Sequence, residues 1–81
     1  MRVRVRLFGS LRERAGRAEQ LVELPAGATA EAAWQALVGA FPELAPRRAS
    51  LALAVNRVYA DFETPLQEND EVVFIPPVSG G

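Results

Sequence analysis

The chain opens on a strict alternation. In MRVRVRLF, Val3, Val5 and Leu7 fall on one side of an extended strand, and Arg2, Arg4, Arg6 and Phe8 on the other. Phe8 stands out on its side as a large apolar residue among arginines. GSLRERAG follows as a connection with room for a helical turn, Ser10 as its N-cap and Gly16 closing it. EQLVEL reads as a second strand, which Pro25-Ala26-Gly27 ends as a turn.

The apolar period then lengthens from two to about 3.6. TAEAAWQALVGAF carries Ala30, Ala33, Trp34, Leu37 and Phe41 at helical spacing, so one stripe faces a sheet and Trp34 belongs to the core. Thr29 is placed as N-cap, Glu31 favours the positive end of the helix, and Pro42 stops it. PELAPRRAS reads as a loop, with Arg47 and Arg48 expected far from the end of the chain. LALAV is a third strand, and Asn56-Arg57 turns it into a short strand around Val58 and Tyr59. Two more turns, at Thr64-Pro65-Leu66 and Gln67-Glu68-Asn69-Asp70, lead to EVVFI. In this last strand Val72 and Phe74 alternate against Val73 and Ile75, and Pro76 and Pro77 end it because neither can donate to a ladder. Strands around one main helix predict an α+β domain, a mixed sheet of four to five strands packed on that helix.

Composition narrows the chemistry. The 81 residues are 49% hydrophobic, enough for one compact core. With 23% charged residues and a net charge of -1, no nucleic-acid footprint stands out. The Arg2, Arg4, Arg6 ladder reads as an exposed sheet face or a protein contact. The absence of Cys removes disulfides, thiolate metal sites and Cys nucleophiles; the absence of His removes the usual metal ligand and general base. The carboxylates are scattered beside turns and read as solvated surface. No apolar run approaches the roughly 18 residues of a membrane span, and the opening lacks the apolar core of a signal peptide. A soluble, cytoplasmic domain without metal or membrane partner is expected.

What remains is the end, PPVSGG. Residues 1–75 are expected to fold, and residues 76–81 to form an extended, flexible tail. Pro76-Pro77 favours a stiff exit from the sheet. Six residues at roughly 3.3 Å each reach about 20 Å. Gly80 and Gly81 have no Cβ and can pass a channel closed to other residues. Such a tail suits delivery of a carboxylate into another protein's active site. A carboxylate is a poor electrophile. Joined to AMP it becomes a reactive acyl adenylate, which a sulfur donor can convert into a thiocarboxylate.

LFGSLRERAG, and AVNRVYADFETPLQENDEVVFIPPVSGG in the second half, resemble the small, sulfur-carrying subunit of molybdopterin synthase. The likeness spans essentially the whole chain and is most specific in DEVVFIPPVSGG. Sulfur carriers of thiamine synthesis share the ubiquitin-like β-grasp fold and the Gly-Gly end but generally lack the FIPPVSGG form. The resemblance implies a β-grasp fold and a chain that is not an enzyme on its own. It implies that a dedicated activating enzyme uses ATP to adenylate Gly81, that a sulfur donor turns this into a thiocarboxylate, and that no cofactor is permanently bound. It further implies docking into the large synthase subunit as a heterotetramer, where sulfur passes to cyclic pyranopterin monophosphate to build the dithiolene. Carried over by position, Gly81 holds the sulfur, Val78, Ser79 and Gly80 form the inserted tail, and Pro76 and Pro77 aim it. Asn69 departs from the Gly common before Asp in the family's turn, but Asn also tolerates a left-handed backbone.

The residues themselves point to a docking face. Phe8, Tyr59 and Ile75 are placed outward near the root of the tail, rimmed by Arg; the alternative is that they cap the edge of the core. Three other functions stay open: a carrier for thiamine synthesis or tRNA thiolation, a ubiquitin-like tag joined to Lys, and a plain interaction module. The basic residues are nine arginines and no lysine. Either Arg is simply preferred at exposed sites, or the chain avoids side-chain amines near an activated end.

Overall fold

A computed structural model of the protein describes residues 1–77. Five strands form one sheet: β1 (Arg2–Leu7), β2 (Glu19–Glu23), β3 (Ala52–Val55), β4 (Val58–Ala60) and β5 (Glu71–Ile75). Their spatial order is β2-β1-β5-β3-β4. The central pair, β1 and β5, is parallel, and the remaining pairs are antiparallel. Helix α2 (Ala30–Ala40) covers one face; helix α1 (Gly9–Ala15) is a single short piece between β1 and β2. This is the β-grasp arrangement: two hairpin arms joined at a parallel seam around one main helix.

The alternation of β1 is realised as read. Val3, Val5 and Leu7 are essentially inaccessible, as are Val72 and Phe74 opposite them on β5. Ala30, Ala33, Trp34 and Leu37 supply the helix side of the core. Phe74 is its centre: the Trp34 ring meets it edge-on at 5.1 Å, and Phe62 stacks on it at 6.0 Å between centroids. Among the described residues no polar side chain is buried, so burial here carries no desolvation penalty for polar side chains.

Three local expectations change. Ser10 is not a cap. Phe8 stays extended (φ -127°, ψ 162°), and its carbonyl accepts from Leu11 and Arg12, which puts Ser10 inside the first turn. Gly16 does close α1, in a left-handed conformation. Thr29 is the N-cap residue of α2, but its side chain makes no cap hydrogen bond. The free N–H groups of Ala30 and Glu31 donate instead to the carbonyls of Thr64 and Phe62, at 3.0 and 2.9 Å. Backbone from the β4–β5 connection thus replaces the missing side-chain cap.

PELAPRRAS, read as a loop, is a 3-10 helical segment over Pro42–Ser50. Pro42 forces Phe41 out of the α region, and the chain tightens into i→i+3 bonds such as Leu44 N–H to Phe41 O at 3.0 Å. Leu44 is fully buried and anchors the segment. Arg48 fastens it to α2: its Nε and Nη2 both donate to Glu31 Oε1, at 2.9 and 2.6 Å, and its guanidinium lies 3.3 Å from the centroid of the Phe62 ring. At Asn69 the left-handed backbone is realised (φ 68°), so the turn before β5 keeps its shape without Gly.

Replacing Phe74 by Ala is expected to cost about 3–5 kcal/mol. An 81-residue domain has roughly 4–12 kcal/mol in total, so the shift of the urea midpoint should be large and a substantial unfolded fraction should be visible by circular dichroism.

Hydrogen bonds from Arg48, and secondarily from Gln35, hold the Glu31 carboxyl below its ordinary range. A depressed carboxylate contributes stability above its unfolded-state value and loses it as pH falls through its lower folded-state value. The stability gap between the parent and Glu31→Gln should therefore be largest near neutrality and fade in acid. Because the side chains are 38% and 39% exposed, the gap should stay below about 1 kcal/mol. Urea titrations of both proteins at neutral and acid pH measure it.

Candidate functional site

The sheet face away from α2 is built row by row from the strand registers. Glu19, Arg6, Val73, Ala54 and Tyr59 lie side by side across β2, β1, β5, β3 and β4. The next row toward the chain exit holds Ile75 and Ala52 as partners. Leu7 pairs with Phe74, so Phe8 and Ile75, one residue further on each strand, follow side by side. Adjacent strands are about 4.8 Å apart, so Tyr59 is two strands from β5. Between them lie the exposed Ala52 and the buried Ala54, which forms the floor of the surface there.

The structure thus gathers Phe8, Ile75 and Tyr59 on one face. Phe8 is 44% exposed and Tyr59 80% exposed, and neither packs into the core cluster; Ile75 is half-buried. Sequence reasoning missed Val73, Ala52 and Ala54, which join these three into one apolar strip. The signal for Val73 was present in the alternation of β5. The alanines were invisible, because nothing local says that β3 lies beside β5.

Arginine does rim the strip, on its β1 side. The Arg6 guanidinium sits 5.6 Å from the centre of the Phe8 ring and 3.6 Å from a Glu71 carboxylate oxygen. Arg2 donates through Nε to Glu23 at 2.8 Å. Of the three arginines of the ladder, two are therefore partnered by carboxylates on the neighbouring strands.

Pro76 and Pro77 follow β5 directly, Pro76 half-buried and Pro77 exposed. Pro76 rests against Gly9: a Cβ added to Gly9 would lie 3.3 Å from Pro76 Cγ. Gly9 also has φ +54°, where a side chain is disfavoured. Two constraints thus favour glycine at the point where the exit leaves the sheet. A groove of about 470 Å³ lies there, lined by Gly9, Ser10, Arg47, Pro76 and Pro77. Arg47 is accordingly beside the exit, not far from it, because the 3-10 segment folds the PRR stretch back toward α1. Val78, Ser79, Gly80 and Gly81 lie outside the described residues.

Among the described residues no group of acidic side chains is arranged to hold a metal ion, and no helix is long and apolar enough to cross a membrane. What the site offers is a surface and an aimed exit.

This chain is similar to proteins of known kind over its whole length. It is 38% identical to the molybdopterin synthase sulfur carrier subunit of Chlamydomonas reinhardtii, covering all of both chains. The crystal structure of SAMP1, a small archaeal modifier protein, from Haloferax volcanii superposes with a TM-score of 0.93 at 31% identity over the full length of both. A chain of the complex of subunits 1 and 2 of molybdopterin-converting factor from Helicobacter pylori superposes with a TM-score of 0.68 at 27% identity, again over both full lengths. The sequence pattern of the ThiS family matches residues 5–81, and the chain belongs to that family.

Proposed function

We propose that the protein is the sulfur carrier subunit of a molybdopterin synthase. The observation that carries this reading is the continuity of an exposed apolar strip with the exit of the chain at Pro76-Pro77. The match to the carrier subunits supports it.

In this reading an activating enzyme takes up the carrier, and a Gly81 carboxylate oxygen attacks the α-phosphorus of ATP, releasing pyrophosphate. The acyl adenylate then accepts sulfur at its carbonyl carbon, and AMP leaves with the electron pair of the broken C–O bond. The carrier next docks on a large synthase subunit through Phe8, Ile75 and Tyr59, together with Val73, Ala52 and Ala54. Val78, Ser79 and Gly80 thread the thiocarboxylate into that subunit's active site, where it gives its sulfur to cyclic pyranopterin monophosphate. The chain contributes position and the reactive end, while catalytic groups come from its partners. Gly9 matters because it lets Pro76 sit close to the end of β1 and so sets the direction of the tail.

A second reading follows from the likeness to the archaeal modifier protein: the same activated end could be joined to a lysine of another protein. Activation at Gly81 is common to both readings, and the acceptor distinguishes them.

Deleting Gly81 should abolish sulfur transfer and leave the urea midpoint unchanged, since the last residue of a domain usually contributes little to stability. The measurement is restoration of molybdopterin synthesis in cells lacking their own carrier. Restoration by the truncated protein would overturn the reading.

Phe8→Ala and Tyr59→Ala should each weaken binding to a large synthase subunit by more than about 1 kcal/mol if they are central contacts. Both side chains are exposed, so melting temperatures should barely move. Ile75 is a poorer probe, because it is half-buried and its loss would mix stability with binding. Titration calorimetry reads the affinity, and unchanged affinity in both variants would place docking elsewhere.

A further inference from the structure

The nine basic side chains are all Arg, and their environments divide them. Arg48 uses the guanidinium geometry fully, with two donors on Glu31 and its plane over Phe62. Arg2 and Arg17 donate to Glu23 and Gln20, Arg6 sits between Glu71 and Phe8, and the half-buried Arg47 lines the groove at the exit. Arg4, Arg12, Arg14 and Arg57 are exposed and make no side-chain hydrogen bond or ion pair with the described residues. Nothing in the fold asks for a guanidinium at these four. On a helix such as α1, Lys and Arg have nearly equal propensity.

The only primary amine in the 81 residues is the α-amino group of Met1. It donates to Leu24 O at 2.6 Å in a half-buried position, and Leu24 N–H donates back to Met1 O at 2.8 Å. This reciprocal pair extends the β1–β2 ladder by one rung and fixes the amine against a carbonyl oxygen. It must leave that bond, or lose its proton within it, before it can attack an electrophile.

We propose that this chain is a donor with no side-chain amine and with its one α-amine engaged by Leu24 O, so that the activated end of one copy finds no acceptor on a second. The proposal rests on the activation of Gly81 argued above. The reaction it prevents is aminolysis. A neutral lysine nitrogen attacks the Gly81 carbonyl carbon, the C–O bond to AMP breaks, AMP leaves with the electron pair, and the proton passes to water. An isopeptide bond between two copies results. A guanidinium keeps its proton at any physiological pH and does not take part. Activated carriers therefore stay single until a sulfur nucleophile or another protein's lysine takes the acyl group. Joined to another protein, the chain would form single adducts and no polymers.

The test is Arg14→Lys/Arg57→Lys, two sites outside the docking strip and the exit. Parent and variant are incubated with ATP and a purified adenylating enzyme, without a sulfur donor. Pyrophosphate release reports activation, and intact mass reports linkage. Equal pyrophosphate release in both, with covalent dimers one water lighter than two chains in the variant alone, is the expected result. Equal release with no dimers in either protein would overturn the inference and leave the sulfur-carrier reading intact. Dimers in the parent that vanish when Met1 is acetylated would also overturn it, by showing that this amine is free to react. No pyrophosphate release from either protein, with release from the enzyme's own carrier, would remove the premise and the sulfur-carrier reading with it.

Discussion

The parallel seam between β1 and β5 is the constraint on which the rest depends. It joins the two ends of the chain, more than sixty residues apart in sequence, in the middle of the sheet, with Leu7 beside Phe74. Because the two strands run the same way, both end at the same edge. There β1 turns away through Gly9 into α1, and β5 runs on into Pro76. An antiparallel seam would have sent the exit past the start of β1, away from Phe8. The seam also aligns the inner faces, so that Val5 and Leu7 meet Val72 and Phe74 in one layer under Trp34.

The same registers determine what the outer face can do. Side chains alternate with period two along each strand, so a buried inner set obliges the intervening residues to form a second surface. On β1 and β2 that surface is mostly charged, with Leu21 exposed among the charges; Arg2 pairs with Glu23 on β2, and Arg6 pairs across to Glu71 at the start of β5. Beyond Glu71, on β5, β3 and β4 it is apolar: Val73 and Ile75, then Ala52 and Ala54, then Tyr59. The boundary falls at Arg6, whose guanidinium faces both Glu71 and Phe8. A surface with an apolar strip and a charged margin is suited to binding another protein. Contiguous apolar area supplies affinity, and the charged side steers and orients the approach.

The 3-10 segment and the β4–β5 connection serve the other layer. Each contributes groups that α2 lacks. Thr64 and Phe62 carbonyls accept its leading N–H groups, and Arg48 closes on Glu31 while covering Phe62. Phe62 then stacks on Phe74, which Trp34 also meets in a T-shaped contact. Irregular chain here completes the core and caps the helix, which is why two stretches with weak local patterning are nevertheless well anchored.

Much of this was legible in the residues. The inner and outer faces of β1 and β5, the extent and stripe of α2, the Asn56-Arg57 hairpin, the left-handed Asn69 and the outward Phe8 all follow from period and turn chemistry, which are local. The family was legible too, in DEVVFIPPVSGG. The misread features were those with distant partners. Ser10 lost its cap role because Phe8 remained extended beside β5, and Thr29 kept its position but not its bond because loop carbonyls accept the leading N–H groups. PELAPRRAS hid a 3-10 segment whose only core residue is Leu44, and Arg47 proved to lie beside Pro76. By itself the sequence determined which side of each strand is apolar, where the elements stop, and that the basic side chains carry no amine. Tertiary structure alone decided that β3 lies beside β5, bringing Ala52 and Ala54 between Ile75 and Tyr59, and that the Met1 amine is held by Leu24. Alternation is written in neighbouring residues, whereas strand order is settled by which apolar faces bury together across the whole chain.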